Sequence, residues 1–187
     1  YLYDDVALAE GPSNSACRYV ENVDKDPVVV VDGLTKNWRY PGWRLSWTVG
    51  PKQLIERVTS AGSYLDGGAP HPLQAAAIPL LEQSVADQEA RAIQVAFAEK
   101  RRLLIERTQQ MGMQLPNLPQ GAFYGFVNLD NLPEPLRNGM DFFRAALERK
   151  VIVVPGEFFD VDPGKRRRHI PSRLRQYIRL SFGPSYD

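Results

Sequence analysis

This chain of 187 residues is short of several things, and each shortage closes off a class of protein. It has one cysteine, Cys17, so no disulfide framework exists within it. That fits a reducing, cytoplasmic setting. It has two histidines, His71 and His169, far apart in sequence, and with a single cysteine they do not make a zinc site. Net charge is only +1, so no global field argues for a nucleic-acid partner. No apolar run reaches membrane-spanning length and no signal peptide is legible, so neither a membrane nor a nucleic acid is expected as a partner. There is no Gly-x-Gly-x-x-Gly, no Walker loop and no nucleophile elbow. The chain opens at Tyr1 without an initiator Met and reads as a piece of something longer.

What remains is ordinary for a globular protein: 43% hydrophobic and 24% charged residues, enough for one or two small domains. The stretch on which the reading turns is Asp26 to Gly50. A β-branched run, Val28 to Val31, ends at Asp32-Gly33. A polar loop carries Lys36, and Pro41-Gly42 turns the chain. From Trp43 to Val49 the pattern alternates, with Trp43, Leu45, Trp47 and Val49 on one face and Arg44, Ser46 and Thr48 on the other. This predicts a strand, a loop holding one lysine, and a second strand with Arg44 at its start. A lysine among aromatics at a sheet mouth is partly desolvated, which favours the neutral amine that attacks an aldehyde. Arg44 offers a planar fork suited to a phosphate. The bland alternative is a solvated lysine and a surface arginine.

The rest of the chain follows in order. Pro51 opens a helix with Leu54, Ile55 and Val58 as its apolar stripe. His71-Pro72 leads into a helix from Leu73 to Leu81. Ser84 and Asp87 look like a capping box, and a long helical pattern follows to Gly112, spanning roughly 40 Å. A strand is expected over 122–129, a helix over 139–150 burying Phe142, Phe143, Ala146 and Leu147, and a strand over 151–154. The basic segment Lys165 to Arg179 is the strongest alternative signal, because such a cluster can neutralise nucleic-acid phosphates. Pro171 interrupts it, however, and no helical stripe gathers its charges on one face. In Tyr177 to Phe182, Ile178, Leu180 and Phe182 face one way, and Tyr177, Arg179 and Ser181 the other.

Gly33 to Trp47, GLTKNWRYPGWRLSW, resembles the Schiff-base lysine motif of class I/II aminotransferases, the fold-type I pyridoxal-phosphate enzymes. In that family an arginine eight residues beyond the lysine holds the cofactor phosphate; Lys36 and Arg44 fall on those positions. Three residues before the lysine the family usually has a phosphate-binding Ser or Thr, where this chain has Gly33; Thr35 is the alternative hydroxyl. LPQGAFYGF (Leu118 to Phe126) resembles the phrase opening the family's small domain. The strand Val151 to Val154 running into Pro155-Gly156-Glu157-Phe158-Phe159 resembles its Val-x-Pro-Gly-x-x-Phe, whose aromatic end lies over the substrate mouth. YIRLSFG resembles its closing strand, whose arginine, here Arg179, grips the substrate α-carboxylate. Tyr1, with Tyr3 as alternative, matches a tyrosine that bonds the cofactor's phenolic oxygen.

The resemblance implies an α/β chain, the C-terminal part of the fold-type I transferase fold. Residues 1–83 would be the remainder of the large, mainly parallel-sheet cofactor-binding domain, 84–112 a connecting helix, and 113–187 a small α+β domain. It implies a cytoplasmic homodimer using pyridoxal 5'-phosphate to move an amino group between an amino acid and a 2-oxo acid. Ser63 and Tyr64 lie near the expected dimer interface. Other pyridoxal-phosphate chemistry (lyase, cyclase or synthase) and a non-catalytic interaction module stay open as alternatives.

Overall fold

The computed structural model describes residues 15–162 and 169–183. The chain divides into two compact units, 1–94 and 95–187.

In the first unit, strands β1 (Val30–Gly33) and β2 (Ser46–Val49) pair antiparallel, with Gly33 opposite Ser46 and Val30 opposite Val49. The resemblance implied the end of a mainly parallel sheet; here the chain doubles back at Pro41-Gly42 and the described pair is antiparallel. The β-branched run extends as expected, though pairing begins only at Val30. Between the strands lies a single helical turn, α1 (Leu34–Asn37), where a loop was expected. The alternation from Trp43 is broken as well. Pro41–Trp43 forms a 3-10 turn, and Arg44 adopts a left-handed backbone at φ 52°, so the strand starts two residues after Arg44. The core under this turn is Leu34, Trp38, Leu45 and Ala77, with Tyr40, Trp43 and Trp47 packed against it. The Trp38 indole N–H donates to the Leu80 carbonyl at 2.9 Å. A buried indole needs such a partner, and this one ties the α1 turn to a segment 42 residues away.

Helix α2 (Lys52–Ser63) has Pro51 at its cap rather than inside it, and its stripe residues Leu54 and Val58 are exposed. Helix α3 (His71–Ala77) stops short of the expected span; Pro79 lies in the 3-10 turn Ile78–Leu81 that follows it. Helix α4 (Gln83–Gln110) begins before Ser84, which removes the expected capping box; Asp87 instead accepts from the Gln83 amide at 2.7 Å. Gly112, at φ 76°, marks the helix stop that the sequence indicated. The boundary between the two units falls within α4.

The second unit is built on a three-stranded antiparallel sheet. β5 (Tyr177–Ser181) lies between β3 (Tyr124–Asn128) and β4 (Val154–Pro155). Its core is Met113, Val127, Leu129, Leu132, Val153 and Ile178. Phe142 and Phe143, on helix α5 (Gly139–Glu148), pack against it as expected, but Leu147 is exposed. Asn138 caps α5 by accepting from the N–H groups of Met140 and Asp141. Val151 and Ile152, expected in a strand, stand exposed, and β4 is only two residues long. The predicted faces of the last strand hold: Ile178 is fully buried, and Leu180 and Phe182 point inward with it. Gly139 and Gly156 mark the closest approaches, since a Cβ on either would stand 2.5 Å from a backbone carbonyl oxygen of the 174–177 segment.

Candidate functional site

The sequence-predicted residues fall on both units. Lys36, Thr35 and Arg44 belong to the first, Arg179 to the second, and Tyr1 lies outside the described residues.

In the first unit the site is one turn and its two flanking strands. Lys36 is the third of four residues in α1. The turn is pinned from below: Leu34 is buried, its N–H donates to the Leu45 carbonyl at 3.0 Å, and its own carbonyl accepts from Tyr40 N–H at 3.0 Å. Asp32 closes the turn from the strand side, accepting from Gly33 N–H at 2.7 Å and from the Asn37 amide at 3.2 Å. Leu34 and Trp38 point into the core, and Lys36 between them is exposed. The expected desolvation of Lys36 is therefore not met: the aromatics pack beneath the turn and leave its top open.

Gly33 stands where the resemblance would put a hydroxyl. Its backbone is extended, so no left-handed conformation demands glycine. Proximity does. A Cβ there would lie 2.7 Å from the Leu45 carbonyl oxygen and 2.9 Å from Ser46 Cβ. The facing strand fills the place of a side chain, leaving the half-buried Thr35 as the hydroxyl next to Lys36. Arg44 is exposed, with Nη1–H donating to the Pro41 carbonyl at 3.0 Å. Its left-handed backbone is uncommon for a residue with a Cβ and is the kind of local strain found where side-chain direction matters. Arg39, three residues past Lys36, shares that conformation at φ 60° and pairs with Glu89. By type, an amine suits the carbonyl carbon of a phosphorylated aldehyde, and a hydroxyl and a guanidinium fork suit its phosphate.

In the second unit the site is one face of the sheet. Register places Phe126 of β3 and Val154 of β4 opposite Arg179, with Tyr124 one diagonal step away. The Arg179 guanidinium carbon lies 4.2 Å from the Tyr124 ring centroid and 4.8 Å from that of Phe159. Phe126 meets Phe159 edge-on at 5.9 Å and stacks on Tyr177 at 5.2 Å. Arg179 Nε is buried and has no hydrogen-bond partner among the described residues. A planar cation walled by rings, with an unanswered donor, has the chemistry to receive a planar anion such as a carboxylate. Sequence reasoning found Arg179 and its strand face but not Tyr124 as its neighbour. The signal was present in the Tyr124-Gly125-Phe126 alternation, but it becomes a contact only once the β3–β5 register is known.

Ser63 donates its hydroxyl to the Ser60 carbonyl at 2.7 Å, and Tyr64 is exposed. Of the basic segment, residues 163–168 lie outside the described part; Ser172 Oγ and Arg173 N–H both donate to Asp160. Among the described residues, no group of three or more His, Cys, Asp or Glu is placed to hold a metal, and no helix is long and apolar enough to cross a membrane.

The profile of aminotransferases of class I and II matches residues 2–183. The chain belongs to that family. A (5-formylfuran-3-yl)methyl phosphate transaminase of Methanocaldococcus jannaschii is 27% identical over 179 residues, covering 95% of this chain and 43% of its own length. An aspartate aminotransferase of Pinus pinaster is 33% identical over 169 residues, covering 85% of this chain and 32% of its own. Among solved structures, a Methanococcus jannaschii protein described as similar in its active site to kynurenine aminotransferases matches with a TM-score of 0.76 at 27% identity, covering 99% of this chain and 43% of that one. This aminotransferase-family chain therefore spans less than half the length of these relatives, and the family match runs through the candidate residues of each unit.

Proposed function

We propose that this aminotransferase-family chain carries the lysine, the phosphate anchor and the substrate anchor of a pyridoxal-phosphate enzyme that transfers an amino group from an amino acid to a 2-oxo acid. One observation carries the reading. A single family match runs from residue 2 to 183, and within it an exposed lysine turn is followed eight residues later by an arginine, and near its end by an arginine walled with aromatics.

Bound pyridoxal phosphate supplies an aldehyde and an electron-withdrawing ring. Lys36 Nζ would hold that aldehyde, and its amine would serve as the base for the substrate Cα proton. Arg44 and Thr35 would hold the phosphate, Arg44 by its fork and Thr35 by its hydroxyl. Tyr1 is assigned to the phenolic oxygen by resemblance. Arg179 takes the substrate carboxylate through two parallel N–H···O bonds, which fixes the orientation of the Cα–H bond. The names of the matched relatives favour amino transfer over other chemistry on the same cofactor. A cytoplasmic homodimer is the assembly that the resemblance supports.

The test is to add pyridoxal phosphate to the chain, record its absorbance, reduce with borohydride and map the labelled peptides. We expect an absorbance band at the violet edge of the visible and label concentrated on the peptide containing Lys36. Label scattered over surface lysines, or none at all, overturns the assignment.

A further inference from the structure

Arginines that receive anions are commonly oriented by a carboxylate of their own protein, which also cancels part of their charge. Arg179 is not: among the described residues no Asp or Glu pairs with it, and its guanidinium lies against the rings of Tyr124 and Phe159. Two features of β3 and β5, and one turn, bring the rings to it. Alternation puts Tyr124 and Phe126 on the sheet face of Tyr177 and Arg179. The register sets Phe126 directly across from Arg179 and Tyr124 on the diagonal, within reach of a long side chain. The 3-10 turn Gly156–Phe159 then carries Phe159 to the same guanidinium. Phe159 is 38% exposed and sits on a turn, whereas Tyr124 is anchored in a paired strand and packs against Phe123 at 4.4 Å. Tyr124 is thus the fixed wall and Phe159 the outer one.

A ring face attracts a guanidinium and also restricts its plane, because the flat cation loses contact if it turns. Neither ring offers a hydrogen-bond acceptor strong enough to occupy the fork, so the N–H groups keep their capacity for a ligand. We propose that Tyr124 is a positioning residue for carboxylate binding: its ring sets the plane of the Arg179 fork and so the direction from which a carboxylate is received. This rests on the reading of Arg179 as the carboxylate anchor. The Tyr124 hydroxyl plays no part in it, so phenylalanine serves equally well and an aliphatic side chain does not.

The test uses the chain labelled with 15N at arginine, following the Arg179 Nε–H resonance while sodium propionate replaces sodium chloride at constant ionic strength. In the unsubstituted chain we expect a saturable shift, absent in Arg179→Lys. Tyr124→Phe should keep the affinity within a factor of about two, and Tyr124→Leu should weaken it about tenfold. The Arg179 Nε–H order parameter, measured without propionate, should fall in Tyr124→Leu and not in Tyr124→Phe. Should Tyr124→Leu not fold, Phe159→Leu removes the outer ring and should weaken binding about threefold. Unchanged affinity and unchanged order in whichever leucine variant folds would overturn the role of the rings while leaving Arg179 as the anchor. An absent shift in the unsubstituted chain would overturn the anchor itself, and the positioning role with it.

Discussion

The two candidate parts, one in each unit, are prepared in opposite ways. Around Lys36 the preparation lies in the backbone. Arg39 and Arg44 hold left-handed conformations, Gly33 gives up its side chain to the facing strand, and the reactive groups stand in the open. Around Arg179 the backbone is regular strand, and the preparation lies in side chains: rings on the cation and a buried Nε without an acceptor among the described residues. Under the proposed roles the contrast has a reason. A covalent attachment point must be reached by a bulky partner, which an exposed turn allows, and an anion receptor gains from a low local dielectric, which a packed sheet provides.

The sharpest way to break this comparison is Lys36→Ala. It should abolish all borohydride-trapped label while leaving the propionate response of Arg179 unchanged; joint loss would mean that the two parts are not independently prepared. Next in size is Gly33→Ser, which installs the hydroxyl that the family resemblance would place there. Because the added Cβ meets backbone atoms, which yield poorly, it should destabilise the chain by about 1–3 kcal/mol, read as a lowered urea midpoint. An unaltered midpoint would show that the strands can part, and that the backbone here is not the constraint. Asn138→Ala removes the cap of α5 and should cost about 1 kcal/mol, seen in the same urea titration. The smallest effect carries the opposite sign. Arg44→Gly relieves a left-handed residue but adds glycine's entropy in the unfolded chain, for a net gain of about 0.5 kcal/mol in stability. The same change should weaken retention of pyridoxal phosphate. A loss of stability instead would mean that the Arg44 backbone is not strained.

How much of this was legible beforehand varied along the chain for identifiable reasons. The last strand was readable because Ile178, Leu180 and Phe182 alternate with polar neighbours, and its burial needs no knowledge of partners. Gly112 was readable as a helix stop because glycine is the residue that takes positive φ without cost. The turn carrying Lys36 was not, since four residues are too few to show a helical period. Arg44 could not be placed either. Nothing in an arginine announces a left-handed backbone, and the apparent alternation from Trp43 masked the break. The exposure of Val151 and Ile152 runs against their type; what decides it is that β4 pairs with β5 only at Val154 and Pro155, a tertiary fact. Lys36, Arg44 and Arg179 were singled out through motif resemblance, and the Tyr124 contact emerges only from strand register.

That no Asp or Glu among the described residues pairs with Arg179 also bears on how fast a ligand arrives. A cation already neutralised by its own protein attracts nothing at a distance. One held by rings keeps its field, and the ring walls, being poorly polarisable compared with water, focus that field outward through the opening. Capture of a carboxylate there should be rate-enhanced and slow as salt is added, while its residence, set by close contacts, changes little. The aromatic lining that orients the guanidinium thus also preserves its reach into solution.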